Sequence, residues 1–216
     1  MKKFGIILLS IIFLLNCSSG GFSYKENPKI SQSEKTSRLI ITQVIDSRPN
    51  VPNESKSWIA LLPLVIYGTN YINKIEDSKR YNLGIPIINI FNAGIETELS
   101  KKFSSAKNGK GKNFSLEATL NELTCEEKYF TYSLSLFGSI LYFVGAPSLR
   151  LECKITASFI LKEGNKISDQ ISITHSDSKY SIIYTDANLN KIKSLPIELI
   201  SDIMFQYTEH LQAKGL

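Results

Sequence analysis

Cysteine, histidine and clustered lysine are the residues of this chain with chemistry to offer, and they are sparse. Three cysteines and two histidines occur in 216 residues. Cys125 and Cys153 fall on alternating apolar stretches that read as neighbouring strands, an even pair suited to one disulfide or to two buried thiols. A bond between them would contribute about 3 kcal/mol by closing the intervening loop. His175 continues the apolar face of Ile171 and Ile173, and His210 falls in the last turn of a C-terminal helix, where an imidazolium favours the helix dipole. Structural roles are expected for both. No His pair at ligand spacing, no CxxC and no HExxH occurs, which argues against a metal site. No G-x-S-x-G and no Ser, His and Asp set stands out, so the expectation is a non-enzymatic protein without a cofactor.

Two stretches have the composition of anion sites. "KNGKGK" joins glycine to lysine but lacks the spacing of a phosphate loop and follows a helix instead of opening one, so it reads as a solvated loop. Its alternative is a weak contact with anionic headgroups through Lys101, Lys102, Lys107, Lys110 and Lys112. Asp46-Ser47-Arg48-Pro49 is a polar corner in which Asp46 closes the turn and Arg48 pairs locally.

The most informative segment is "MKKFGIILLSIIFLLNCSSGG". Lys2 and Lys3 form a basic start, and Phe4 to Leu15 an apolar run of about twelve residues. As a helix that run spans about 18 Å, too short for a hydrocarbon core of about 30 Å, which favours a signal peptide over a membrane span. Leu14-Leu15-Asn16-Cys17 resembles the lipobox of bacterial lipoproteins, looser boxes of this kind being spirochaete-like. The resemblance implies removal of residues 1–16 and attachment of diacylglycerol and further acyl chains such as palmitate to Cys17, an anchor that needs no second membrane segment. Residues 17–37 then read as the lipidated cysteine and a flexible tether, rich in Ser, Gly, Lys and Glu. Without residues 1–16, Lys plus Arg falls from 25 to 23 against 20 acids. So small an excess does not suggest nucleic-acid binding.

From residue 38 to 216 a single domain is expected. "RLIITQVID" is a strand stopped by "SRPNVPN". "WIALLPLVIYG" is apolar, and Pro63 inside it points to an edge strand or an extended loop. Phe91, Ile95, Leu99 and Phe103 form the stripe of an amphipathic helix, with Glu96, Glu98, Lys101 and Lys102 placed off it. Phe114, Leu116, Ala118 and Leu120 alternate with polar residues. So do Leu149, Leu151, Cys153, Ile155, Ala157, Phe159 and Leu161, and Glu163-Gly164-Asn165 turns that strand into the next. Ser194 as N-cap and the stripe Pro196, Leu199, Ile200, Ile203, Tyr207 and Leu211 give a second helix. The expected fold is α+β, an antiparallel β-sheet with two amphipathic helices packed on one face.

Between the two cysteines lies "YSLSLFGSILYFVGAP", residues 132–147, without one charge. It reads as a buried helix or as a hairpin turning at Gly138-Ser139, and Gly145 and Pro147 end it. Together with Cys17, "DSRP" and "LLPLVIYGTNY", it resembles a spirochaete-like group of bacterial envelope lipoproteins with a Y-x-L-S-x-x-G-x-x-L-W/Y-x-x-G-x-P element. More remotely, the order of elements is similar to small accessory lipoproteins of envelope transport and assembly machines. The resemblance implies a cell-envelope protein, lipid-anchored in the outer membrane on its periplasmic face or at the cell surface, with an envelope protein as partner. Phe137, Ile140, Leu141, Tyr142, Phe143 and Val144 are the candidate apolar interface. Alternatives are a carrier of a lipid or other hydrophobic ligand, with the insert lining its cavity, and a surface lipoprotein that binds host molecules.

Overall fold

The computed structural model describes residues 23–32, 37–49, 54–57, 64–71, 85–104, 111–131, 140, 144–182 and 194–216. Six strands lie in one sheet: β1 (Arg38–Asp46), β2 (Glu54–Ser57), β3 (Leu64–Tyr71), β4 (Asn113–Thr131), β5 (Leu149–Glu163) and β6 (Lys166–Ser181). Helix α1 (Ile87–Leu99) precedes β4 and α2 (Leu195–Ala213) follows β6. Order across the sheet is β2-β3-β4-β5-β6, with β1 also on β4. β4 is long enough to share one edge. Residues 113–120 pair with β1 and residues 124–131 with β3, while β5 occupies the other side. The fold is α+β as expected, but β1 runs parallel to β4. That pairing requires a long crossover, which includes α1.

Period-two alternation builds the core. The inward residues of β5 from Leu151 to Leu161 are buried under the helices, while Lys154, Thr156 and Ser158 face outward beside Glu122, Thr174 and Ser172. Bulges keep that alternation in phase where neighbouring strands would lose it. In β4 the register shifts between Leu120 and Glu122, so Leu123 and Cys125 return to the core side, and Asn121 donates outward to Ser158 Oγ at 2.7 Å. In β1 the shift lies between Ile41 and Gln43, which lets Leu39, Ile41 and Val44 all sit opposite the buried Phe114, Leu116 and Ala118. Gly164, at φ +62°, makes the β5–β6 turn in a conformation glycine tolerates best.

Helix α1 buries Ile87, Ile90, Phe91, Gly94, Ile95, Glu98 and Leu99, and α2 buries the expected stripe from Pro196 to Leu211. Phe91 meets Phe159 at 6.1 Å, and Phe159 stacks on Tyr207 at 4.1 Å, which locks both helices to β5. Ser194 occupies the N-cap but its hydroxyl donates to Glu198 Oε1 at 2.6 Å, with no bond to the helix backbone. Two expectations are corrected. β3 is an inner strand, between β2 and β4; it begins at Leu64, so the ladder never needs the N–H that Pro63 lacks. Residues 23–32, expected within the flexible tether, pack against the helices.

Candidate functional site

The polar centre of the described chain is where residues 23–32 meet α1. Asn27 and Pro28 open a turn: Ile30 N donates to Asn27 O at 3.2 Å and Lys29 N to Asn27 Oδ1 at 3.0 Å. Proline presets this geometry and the asparagine side chain closes it. The turn seats on Glu98, which is 0% exposed. Glu98 Oε1 accepts from Tyr24 Oη at 2.7 Å and from Asn27 N at 2.6 Å. Its Oε2 accepts no other hydrogen bond among the described residues and faces the Lys101 ammonium at 2.7 Å.

Lys101, 5% exposed, also reaches Glu26 Oε1 at 2.8 Å, Asn27 O at 3.1 Å and Ile30 O at 3.2 Å. Burial works against its charge, but Glu26 and Glu98 outweigh that and hold its pKa above the ordinary value. Burial, reinforced by Glu98, likewise pushes the Tyr24 phenol up. Asn27 Nδ2 crosses to Ser201 of α2, at 3.0 Å from Oγ and 3.2 Å from the carbonyl. The Tyr24 ring lies over Gly94, where a Cβ would come within 2.9 Å of it. Glu98 and Lys101, expected on the wet side of α1, are therefore its buried grip on the N-terminal segment.

A second polar group ties the edge strand to α2. Asp169 is buried, accepts from Lys214, and lies 2.9 Å from His210 Nε2. Burial opposes its ionisation, yet Lys214 and His210 prevail and hold its pKa below the ordinary carboxylate value. His175 lies 3.1 Å from Gln206 Nε2 and 3.6 Å from Asp202, and Lys179 meets Glu198. Both histidines thus join sheet to helix. Beside them the Tyr207 hydroxyl is buried with no hydrogen-bond partner among the described residues; burial and then the Asp169 charge push its pKa up.

The sequence-predicted sites are brought together only in part. Cys125 and Cys153 are register partners on β4 and β5, with sulfurs 2.00 Å apart and both side chains in the core. The insert follows from that end of β4. Cys17, Phe137, Leu141, Tyr142 and Phe143 lie outside the described residues, as do Lys107 and Lys110. Ile140 is helical, and Val144 N donates to its carbonyl at 3.1 Å. The two side chains are 52% and 72% exposed. Ser148 N then donates to Ser181 O at 2.8 Å, which sets the exit of the insert next to the exposed Tyr180 and Ile182. Of the other lysines, Lys112 pairs with Glu163 and Lys102 donates to Gln212, so with Lys101 buried no basic cluster forms among the described residues. Arg48 is buried and held by both carboxylate oxygens of Asp46, at 2.9 and 2.7 Å.

No group of three or more His, Cys, Asp or Glu that would hold a metal ion occurs among the described residues, and no helix there is long and apolar enough to cross a membrane. A shallow groove of about 270 Å³ runs between β1 and α1, lined by Leu39, Ile41, Leu99 and Phe103 with Glu96 at its rim. No protein-family model matches the chain, and no curated protein matches it. Among solved structures, the chain is similar to a minor lipoprotein from Acinetobacter baumannii, at 12% identity and a TM-score of 0.37, over 82% of this chain and 96% of that one.

Proposed function

We propose that the protein is a lipoprotein of the bacterial cell envelope, anchored through acyl chains on Cys17, whose α+β domain is a non-enzymatic accessory module that binds another envelope protein. The exposed end of the insert carries this reading: Ile140 and Val144 expose large apolar side chains within it, and Tyr180 and Ile182 do so on either side of Ser181, where Ser148 bonds the exit of the insert to a sheet whose interior is packed. Large apolar side chains grouped at one exposed rim mark a contact surface better than scattered ones do. The leader of residues 1–16, with Cys17 directly after it, supports the membrane as the other partner and the outer membrane as the site. The test is a pull-down from solubilised envelopes with the lipidated protein, with and without residues 132–147. A protein captured only by the intact insert is expected; identical captures, or lipid alone, would refute the partner.

The groove between β1 and α1 supports a second reading, a carrier of a lipid or other hydrophobic ligand. Its volume of about 270 Å³ falls just below that of ligand sites, about 300–1,000 Å³. Native mass spectrometry of protein purified from envelopes separates the readings, because a carrier retains a ligand and a docking module does not. Protease treatment of intact cells tests the surface-exposed, host-binding alternative.

A further inference from the structure

Residues 24–30, beginning seven positions beyond Cys17, are built into the domain, and this bears on how far the domain stands from its anchor. Glu98 is a buried carboxylate whose hydrogen-bond donors among the described residues, Tyr24 and the Asn27 amide, both come from the N-terminal segment. The ammonium that neutralises Glu98 also holds the carbonyls of Asn27 and Ile30. Ile30 is buried, and Lys29 lies over the Phe205 ring at 5.5 Å. Gly94 is the complementary feature. Glycine inside a helix costs about 1 kcal/mol relative to alanine, yet any Cβ here would strike the Tyr24 ring. Charge, backbone and shape thus all select the docked segment.

We propose that Tyr24–Ile30 is a latch that fixes a short standoff between the domain and its membrane; this rests on lipidation of Cys17, proposed above. With the latch closed, the anchor is joined to the domain by the seven-residue interval from Cys17 to Tyr24. Its contour limit is about 25 Å. With the latch open, the domain hangs from Ser37, and the limit rises to about 70 Å. For the Ser- and Gly-rich composition of this stretch the mean reach grows from roughly 15 Å to roughly 25 Å. Closed, the seam of α1 and α2 around Ser201 is therefore the anchored side of the domain.

Two measurements on the full lipidated protein test this. Hydrogen exchange at the Asn27 amide reads the latch without reference to lipid. Neutron reflectometry on a supported phosphatidylcholine bilayer reads the mean height of the domain. The expected results are a protected Asn27 amide in the native chain, at least about tenfold faster exchange in Gly94→Ala and Tyr24→Ala, and a rise in height of about 10 Å in both. Gly94→Ala improves helix propensity, and Tyr24→Ala leaves α1 untouched, so the two guard against misfolding in different ways. Fast exchange at Asn27 in the native chain overturns the latch. Release without a change in height overturns its role in standoff. Intact mass without acyl chains on Cys17 overturns the anchor, and the standoff with it, while the exchange result still judges the latch.

Discussion

Removing the Lys101 ammonium by Lys101→Met tests whether the Glu98 cluster holds the N-terminal segment as the geometry implies. The substitution keeps an unbranched apolar stem and deletes the charge. Glu98 then retains Tyr24 and the Asn27 amide on Oε1, but its Oε2 faces no cation, and the carbonyls of Asn27 and Ile30 lose a donor. Leaving a buried charge without its partner costs about 3–5 kcal/mol. Undocking of residues 24–30 caps the loss, because it readmits water to Glu98 at the expense of exposing Ile30, a side chain whose burial contributes about 1.5–3 kcal/mol. The expected destabilisation is therefore about 3 kcal/mol, or a fall in Tm of about 6–12 °C for a domain of this size. Adding Glu98→Gln removes the stranded charge and keeps an oxygen for Tyr24 and Asn27. The double variant should recover to within about 1 kcal/mol of the native protein. Chemical denaturation of the four proteins closes the cycle. The folded pKa of Lys101 is raised above 10.5, so its contribution is whole below that value and fades only as pH rises through the folded value. The gap between native protein and Lys101→Met should thus stay flat from about pH 7 to about pH 10. A single variant that loses less than about 1 kcal/mol, or a double variant worse than the single, would refute the reasoning.

Replacing Cys125 and Cys153 together by alanine removes the bond between sulfurs 2.00 Å apart and should cost about 3–4 kcal/mol in denaturant; alkylation of both thiols without reductant would contradict this. Asp169, whose folded pKa lies below 3.8, contributes stability that is present above 3.8 and lost as pH falls through the folded value. Asp169→Asn should therefore lose about 1–3 kcal/mol at neutral pH and weaken the acid dependence of unfolding; an unchanged acid limb in a pH series would contradict this. Tyr207→Phe deletes a buried hydroxyl without a described partner, so its midpoint should be unchanged or rise by up to about 1 kcal/mol. A loss larger than that would reveal a partner for the hydroxyl.

Local patterning made the sheet and both helices legible, since burial on one face imposes period two on strands and a stripe on helices. Residues 149–161 alternate without interruption, and the core follows them residue by residue. The bulge in β4 was also in the pattern, as Leu120, Leu123 and Cys125 change phase by one residue. The parallel seat of β1 and the strand Glu54–Ser57 had no such signal. The first depends on a crossover, and the second has no apolar residue of its own and exists only as the hairpin partner of β3. Glu98 was missed for another reason. It is seven residues from Phe91 and three from Ile95, so helical geometry places it on the buried face, but its charge argued for solvent. The partners that make its burial tolerable come from Tyr24 and Asn27, in a segment whose polar composition gave only the Asn-Pro turn as a hint.

The same conflict between phase and polarity recurs on β6, where it has a positional meaning. Asp169, Ile171, Ile173, His175 and Lys179 share one side of the strand, the side turned to α2. On β5 that phase is wholly apolar, because the helices cover it. On β6 the cover is the margin of α2, where Glu198, Asp202, Gln206 and His210, with Lys214 at its C-cap, recur every four positions and present one polar line. Three polar members of the strand phase meet that line, Lys179 at Glu198, His175 at Asp202 and Gln206, Asp169 at His210 and Lys214, while the exposed Asp177 of the same phase accepts from Ser178 N. The partly exposed contacts of Lys179 and His175 add little energy singly, and the buried Asp169 adds more. Their order is what matters, since a slip of the helix by one turn, about 5.4 Å, would set part of the line against Ile171 and Ile173. Polar residues on the inward phase of an outer strand thus locate the margin of the covering helix, and here they specify its register on the sheet.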